Sequence, residues 1–211
     1  MRSLNRFAAP LGRPKGQGRG RRYFFLRASF KTIAIGACAW ASSILFLCAA
    51  GDVLNEATAK IQFIHYVAQY AVWPKEALAP GDKQFVIGVL GENPFGEALE
   101  DYFKSRTVKG RQFVVKIFKE VEEVKNCQIL FISASEKGKL TSILKKLEDT
   151  SILTISDTEG FVQKDGMIFI YIVPKSEITS GLAWEINPQV MKREKLQIDP
   201  FFIERARKPN H

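Results

Sequence analysis

The sequence predicts an α/β domain of three layers, in which helices flank a mostly parallel sheet that ends in an antiparallel segment near the C-terminus. Three observations predict this fold. Strand and helix patterns alternate three times between residues 85 and 147, which is typical of a parallel sheet covered by helices. Several strand patterns are continuous apolar runs, as expected for strands that are buried on both faces. The last two strand patterns have no helix between them, which predicts the antiparallel pair.

The first predicted element is an amphipathic helix at residues 55–73. Its apolar residues recur at spacings of three and four, which places one set on a single face: Ala57, Ile61, Ile64, Ala68 and Ala71. Phe63, Tyr66 and Tyr70 widen this face, so we expect the helix to be covered on more than one side. Pro74 ends the helix, because the residue before a proline avoids the α region.

The later elements follow from the same periodicities and from turn residues. Asn93 and Pro94 are expected at the N-cap and the first position of the second helix. The predicted strands are residues 85–90, 112–118, 129–132, 152–155, 167–173 and 182–186. The predicted helices are residues 95–104, 140–147, 188–194 and 200–206, with a short helical turn at 120–125.

Residues 1–50 are expected to be a signal peptide or an N-terminal membrane anchor, which leaves residues 51–211 as the folded domain. The first 31 residues contain nine Lys or Arg and no acidic residue, and residues 32–50 are uncharged. Cys48 and Ala50 are small residues at the positions that signal peptidase requires before Gly51. The apolar run is also long enough to cross a hydrocarbon core of ~30 Å. Both interpretations place the domain in the periplasm, outside the inner membrane.

The distribution of charge argues against nucleic-acid binding by the domain. The chain carries a net charge of +9, from 31 basic and 22 acidic residues. Removing the nine basic residues of the leader leaves 22 of each sign, whereas a nucleic-acid-binding surface needs a basic excess. We expect no nucleic-acid partner, and contact with a membrane only through an uncleaved N-terminal segment.

Residues that carry chemistry are sparse, so we expect no enzymatic activity, no catalytic residue, no metal and no cofactor. The only histidines are His65 and His211, and no His, Cys and Asp cluster has metal-ligand spacing. The serines that follow the strands lack a nucleophile-elbow sequence. Cys127 precedes an apolar run and is expected to be a small buried hydrophobe; intermolecular pairing or a reactive thiol remains the alternative.

Polar loops follow the predicted strands and form the one candidate ligand site. In parallel sheets, ligands bind beyond the carboxyl ends of the strands. The candidate ligand-binding residues there are Glu92, Asn93, Ser133, Ser156 and Asp157. Polar residues also end the strands of α/β domains that bind nothing, so this pattern alone does not decide between a site and ordinary loops.

Several segments of the chain resemble proteins of the YfiR family. The two most specific are Val72-Trp73-Pro74, at the end of the first helix, and residues 126–133, in which Asn and Cys precede a strand and Ser follows it. The others are residues 59–64, 89–96, 152–157, 160–161, 166–168 and 185–187. The resemblance covers about residues 57–206, in the same order as in the family.

The resemblance implies an exported, non-enzymatic α/β domain in a Gram-negative bacterium. Studied relatives bind the outer part of a membrane diguanylate cyclase and hold down cyclic-di-GMP synthesis, and some family members have genes near sensor kinases. The family often has a Cys in the first strand, where this chain has Gly88. Cys127 therefore lacks that partner, and a redox-controlled stability is not expected here.

Two classes of function follow. The first is a periplasmic regulator that docks on an inner-membrane diguanylate cyclase or sensor kinase through the aromatic face of the first helix: Phe63, Tyr66, Tyr70 and Trp73. A plain core helix is the alternative interpretation of those four residues. The second function is a small-molecule sensor or solute-binding module that uses the polar loops. Self-association as a homodimer is left open.

Overall fold

The computed structural model describes residues 56–78, 81–173 and 181–207. The predicted export segment, residues 1–50, lies outside these residues, as does His211. The helices are α1 (56–70), α2 (Ala98–Phe103), α3 (Leu140–Lys146), α4 (Pro188–Arg193) and α5 (Pro200–Arg205). The strands are β1 (Ala71–Val72), β2 (Gln84–Leu90), β3 (Thr107–Val108), β4 (Arg111–Phe118), β5 (Ile129–Ile132), β6 (Leu153–Ser156), β7 (Ile168–Ile172), β8 (Leu182–Ile186) and β9 (Gln197–Ile198).

Seven of these strands form one mixed sheet in the order β3-β4-β2-β5-β6-β7-β8. The five central strands run parallel to one another, while β3 and β8 are antiparallel at the two edges. The prediction of an α/β fold with a mostly parallel sheet and an antiparallel C-terminal segment is confirmed. β1 and β9 pair with each other in a separate two-stranded ribbon.

Helices cover both faces of the sheet, and the side chains of β5 pack into the cores on both of those faces. Because successive side chains of a strand point to opposite faces, Ile129 and Phe131 pack toward the larger core, which α1, α2, α4 and α5 complete. Leu130 and Ile132 pack toward the second core, which α3 covers. All four side chains are fully buried, which explains why β5 reads as an unbroken apolar run.

The first helix ends earlier than predicted. It stops at residue 70, and Ala71 and Val72 are extended because they pair with Ile198 and Gln197 of β9. This ribbon supplies backbone hydrogen-bond partners that the helix would otherwise provide. Pro74 is itself extended, with φ −62° and ψ 155°, so the chain leaves the helix before the proline rather than at it.

The second helix begins later than predicted, at Ala98 instead of residue 95. Asn93 caps a turn rather than the helix: its Oδ1 accepts from the Phe95 amide and its Nδ2 donates to the Gly96 carbonyl, both at 3.0 Å. Gly96 has φ +56°, a left-handed conformation that no residue within a helix adopts. The turn therefore delays the helix until this residue is passed.

Candidate functional site

An aromatic groove of about 700 Å³ lies between α1 and α5. Its exposed walls are Tyr66 and Tyr70 of α1 and Phe201 of α5. Its floor is formed by Phe63, Trp184 and Phe202. Phe63 packs against Trp184 with the ring centroids 5.3 Å apart, and against Phe202 at 6.1 Å. We call these six residues the aromatic groove.

Backbone contacts fix the two walls of the groove relative to each other. The β1–β9 ribbon joins the C-terminal end of α1 to the chain that enters α5. The Asp199 amide donates to the Tyr70 carbonyl at 3.3 Å, and the Asp199 carboxylate caps α5 by accepting from the Phe201 amide at 2.9 Å. Trp184 Nε1 donates to the Phe202 carbonyl at 3.0 Å. These hydrogen bonds lie within the chain and hold the walls of the groove in place before any partner binds. The groove is therefore preorganised.

The side chains on the walls are unusually exposed for aromatic residues. Tyr66, Tyr70 and Phe201 are 55%, 48% and 48% exposed, respectively. The Arg205 guanidinium lies 4.1 Å from the centroid of the Phe201 ring, which adds a positive charge at the rim. Exposed aromatic residues beside arginine are the side chains that contribute most to protein–protein binding, so this surface is suited to docking a protein.

The four side chains predicted for docking separate into three groups. Tyr66 and Tyr70 are on the surface, and Phe63 is 5% exposed at the floor of the groove. Trp73 is 6% exposed and lies outside the groove; its Nε1 donates to the Gln128 carbonyl at 3.2 Å, and its ring packs edge-on against Phe85 at 5.2 Å. The prediction of Trp73 as a surface residue is wrong, because the helix ends before it and β1 redirects it into the core.

His65 lies next to Tyr66 in sequence, but its side chain contacts Tyr102 and Gln69 and does not line the groove. Its Nδ1 is 3.0 Å from the hydroxyl of Tyr102, and its Nε2 is 3.1 Å from the Gln69 amide nitrogen. Burial, followed by the charge of Arg106, lowers the pKa of His65 below its ordinary value of 6.5. With both ring nitrogens in hydrogen bonds and its ring against Tyr102 and Phe103, His65 packs α1 against α2.

The predicted polar residues do meet at the carboxyl edge of the sheet, but the serines are engaged by the backbone. Leu90, Ile132 and Ser156 are aligned on adjacent strands. Ser156 is fully buried, and its hydroxyl donates to the Ile132 carbonyl at 2.7 Å. Ser133 is 5% exposed, and its hydroxyl accepts from the Ser135 amide at 3.4 Å. These contacts hold the loops and leave little capacity for a ligand.

A buried lysine, Lys60 of α1, forms the electrostatic centre of this edge. Its ammonium lies 2.7 Å from Oδ2 of Asp157 and also pairs with Glu56 one turn earlier. Burial alone would lower the pKa of Lys60, but the hydrogen bonds that its ammonium donates to the two carboxylates outweigh it, and the pKa is raised above 10.5. Oδ1 of Asp157 and the hydroxyl of Thr158 are buried without a hydrogen-bond partner. Glu92 is exposed and Asn93 half-buried beside this cluster.

Cys127 is buried, as the sequence predicts, with 5% of its surface exposed. Its thiol donates to the Ile129 carbonyl at 2.9 Å. Burial raises the pKa of this thiol to about 12, despite a partly offsetting backbone hydrogen bond at Gly88. A Cβ placed on Gly88 would lie 3.0 Å from the Cys127 sulfur, so the two positions are neighbours across β2 and β5.

Among residues 56–78, 81–173 and 181–207, no group of three or more His, Cys, Asp or Glu side chains is placed to hold a metal ion. No helix in the same part of the chain is long and apolar enough to cross a membrane.

The described residues form an α/β domain that carries an aromatic groove between α1 and α5. The YfiR/HmsC-like family model matches residues 57–207. The chain therefore belongs to the YfiR/HmsC-like family, and the resemblance read from the sequence is confirmed. Family membership indicates a regulatory protein that interacts with membrane signalling proteins. A search of curated proteins gave no significant match.

Phe201 of the aromatic groove was not predicted from the sequence. Phe201 and Phe202 are adjacent, both follow Pro200, and no local pattern distinguishes them. In the structure Phe201 is 48% exposed and Phe202 is 5% exposed, and this difference depends on how α5 packs against Trp184 and Phe63. A helical wheel that began at Pro200 would at least have separated the two side chains by about 100°.

Proposed function

We propose that this protein is an exported, non-enzymatic regulator that docks on the outer domain of an inner-membrane diguanylate cyclase or sensor kinase and represses its signalling. The aromatic groove is the proposed docking surface. The observation that carries the proposal is the exposure of Tyr66, Tyr70 and Phe201 on walls that the β1–β9 ribbon holds in place. Family membership supports a regulatory role.

The proposed location follows from the leader and from the partner. A basic start followed by an uncharged run of nineteen residues, 32–50, is typical of an export signal or a membrane anchor. An outer domain of an inner-membrane protein is reached only from the periplasm. The neutral charge balance of residues 51–211 favours a protein partner over a nucleic acid.

If the groove is the docking surface, removing one of its aromatic side chains should weaken binding of the partner by a predictable amount. Truncating a central aromatic residue of an interface typically costs about 2 kcal/mol or more of binding free energy. This loss corresponds to roughly thirtyfold in the dissociation constant. Tyr66→Ala and Phe201→Ala are therefore expected to weaken docking by about this factor each, without unfolding the domain, because both side chains are about half exposed.

The test uses a strain that lacks the gene, complemented with the wild type or with a variant. Deletion is expected to raise cyclic-di-GMP if the partner is a cyclase, and wild type is expected to restore the low level. Tyr66→Ala and Phe201→Ala should fail to restore it. Ile203→Ala is the matched control, because Ile203 is 45% exposed on α5 but does not line the groove. Co-purification with the partner should be lost in the same two variants and retained in the control.

The sensor-kinase form of the proposal has its own readout. Phosphorylation of the kinase should rise on deletion while cyclic-di-GMP stays constant. If deletion changes neither signal, and the groove variants co-purify with membrane proteins no differently from wild type, the proposed function is wrong.

A second candidate function, binding of a small ligand at the polar edge, rests on two observations. Oδ1 of Asp157 is buried without a partner, and Lys60, which pairs with Asp157, lines a cavity of about 160 Å³. This volume is below the ~300 Å³ of ordinary ligand pockets, which favours the docking proposal. A thermal-shift screen tests it, since a ligand at 100 times its dissociation constant adds about 2.7 kcal/mol of stability. A flat screen with wild type would exclude this function.

A further inference from the structure

The outer side of β4 is an open sheet edge. β2 pairs with β4 from Gln112 to Phe118, but the outer neighbour, β3, is two residues long and pairs only with Arg111 and Gln112. Residues 113–118 therefore have a strand on one side only, among the residues that the structure describes. We call this segment the open edge.

Alternation along β4 determines which backbone groups are available. The Gln112 amide donates to a carbonyl just before β2, and the Phe118 carbonyl accepts from the amide just after it, at 2.8 and 3.0 Å. Even-numbered residues of β4 therefore direct their backbone groups toward β2. Because successive residues of a strand alternate in direction, the residues that direct N–H and C=O outward are Phe113, Val115 and Ile117.

The opposite edge of the sheet is paired at one position. The Arg207 amide donates to the Trp184 carbonyl of β8 at 2.9 Å, and Arg207 forms a bridge with Glu185 of the same strand. Natural proteins commonly protect sheet edges by covering them. Residues 113–118 have no such bridge among the residues that the structure describes.

Charge is concentrated around the open edge. Residues 104–119 contain six basic residues and no acidic residue: Lys104, Arg106, Lys109, Arg111, Lys116 and Lys119. Residues 51–211 as a whole are neutral, so this segment is a local excess of positive charge. Lys116 and Lys119 are exposed, and neither belongs to the salt bridges found among the described residues.

The turn that follows β4 is acidic, but its carboxylates pair away from Lys116. Glu122 pairs with Lys146 of α3. The Glu123 carboxylate accepts from the amides of Lys119 and Glu120, at 3.0 and 3.3 Å. Lys116 and Lys119 can therefore meet a charged partner without breaking a salt bridge among the described residues.

We propose that the open edge binds an extended acidic segment of a partner protein as an added β-strand. The backbone groups of Val115 and Ile117 pair with the added strand, which is the usual basis of affinity in strand addition. Lys116, on the other face of the strand, selects carboxylates. A second copy of this chain is disfavoured, because two such basic hairpins would repel each other when paired. This inference is independent of the aromatic groove.

Two variants of the full-length protein separate strand addition from simple charge attraction. Ile117→Pro removes an outward N–H without removing a hydrogen bond to β2, which is the position where sheets tolerate proline. Ile117 is also 45% exposed, so little packing is lost. Lys116→Glu reverses the charge and keeps the backbone unchanged.

The probes are a ten-residue peptide of alternating Val and Glu and its counterpart with Lys for Glu, both measured by fluorescence anisotropy. Wild type should bind the acidic peptide at least tenfold more tightly than the basic one. Binding should protect the amides of Val115 and Ile117 from hydrogen exchange. Ile117→Pro should weaken binding at least tenfold, and Lys116→Glu should shift the preference toward the basic peptide. Phe201→Ala should bind as wild type does.

Five results would overturn the proposal. Failure of the acidic peptide to bind, or equal binding of both peptides, excludes an acidic strand. Binding that Ile117→Pro leaves intact indicates charge attraction without strand addition. A dimer of the free protein that Ile117→Pro dissociates indicates that a second copy occupies the edge. Vesicles of phosphatidylglycerol that bind wild type and Ile117→Pro equally, but not Lys116→Glu, indicate a membrane surface instead.

Discussion

The ammonium of Lys60 lies 2.7 Å from Oδ2 of Asp157, so a buried ion pair joins α1 to the loop that follows β6. The two side chains are 10% and 18% exposed. Removing one member of a buried pair leaves an uncompensated charge, which is more costly than losing the attraction alone. This relationship gives the first two predictions.

Lys60→Met is expected to lower the free energy of unfolding by about 3 kcal/mol, because it leaves the Asp157 carboxylate without its counter-ion. Urea denaturation followed by circular dichroism measures the effect. Lys104→Met is the matched control: its pair with Asp101 is exposed, at 73% and 65%, so its loss should leave stability nearly unchanged. Equal effects of the two substitutions would contradict a structural role for the buried pair.

The contribution of Lys60 should disappear at alkaline pH. Its pKa is raised in the folded state, because hydrogen bonds to Asp157 and Glu56 outweigh burial. A group whose folded pKa lies above the unfolded value of 10.5 stabilises the protein fully below that pH, and loses the contribution as pH rises through the folded pKa. The stability difference between wild type and Lys60→Met should thus be constant from about pH 7 to 9 and shrink above 10.5. A difference that grows with pH would contradict this sign.

Gly166→Ala should destabilise the domain by about 1–3 kcal/mol. A Cβ at this position would lie 2.3 Å from Cδ1 and Cε1 of Phe161, whose ring is fully buried. Gly138→Ala is the control, since nothing lies within 4 Å of its added Cβ. Thermal unfolding should therefore shift for Gly166→Ala only. A wild-type melting temperature in that variant would show that Phe161 has room to move.

Cys127 should be nearly inert in the folded protein. Burial raises the pKa of its thiol to about 12 from an ordinary value of 9.0, which lowers the thiolate fraction at pH 8 by roughly a thousandfold. Alkylation with iodoacetamide, read by mass spectrometry of the Cys127 peptide, should be fast only in denaturant. Rapid labelling under native conditions would favour the alternative interpretation of Cys127 as a reactive thiol.

The sequence predicted well those elements that carry a clear apolar pattern of their own. β2 and β5 are continuous apolar runs and were found within one residue of their bounds. β1 and β9 have two residues each, which is too short to show the alternation of apolar and polar side chains that marks a strand. Their pairing also depends on residues that are far apart in sequence. The same pairing ended α1 early and turned Trp73 inward, an outcome that the helical spacing of residues 55–73 does not reveal.

Of the aromatic groove, the sequence predicted only side chains that lie on the first helix. Tyr66 and Tyr70 belong to α1, and their spacing placed both on one face. Phe201 contributes the opposite wall from the last helix, and its exposure is decided by packing against Trp184 rather than by its neighbours in sequence. Ser133 and Ser156 lie at the ends of neighbouring parallel strands, but only the structure shows that their hydroxyls are engaged by the backbone.

The β1–β9 ribbon brings the first and last helices of the domain into one surface, and this has a consequence during biosynthesis. A nascent chain already carries Tyr66 and Tyr70, but it lacks the wall that Phe201 supplies. The two walls are joined only once residues 197–201 have been made and Ile198 and Gln197 have paired with β1. A chain truncated before residue 197 would therefore lack both the ribbon and the second wall of the groove.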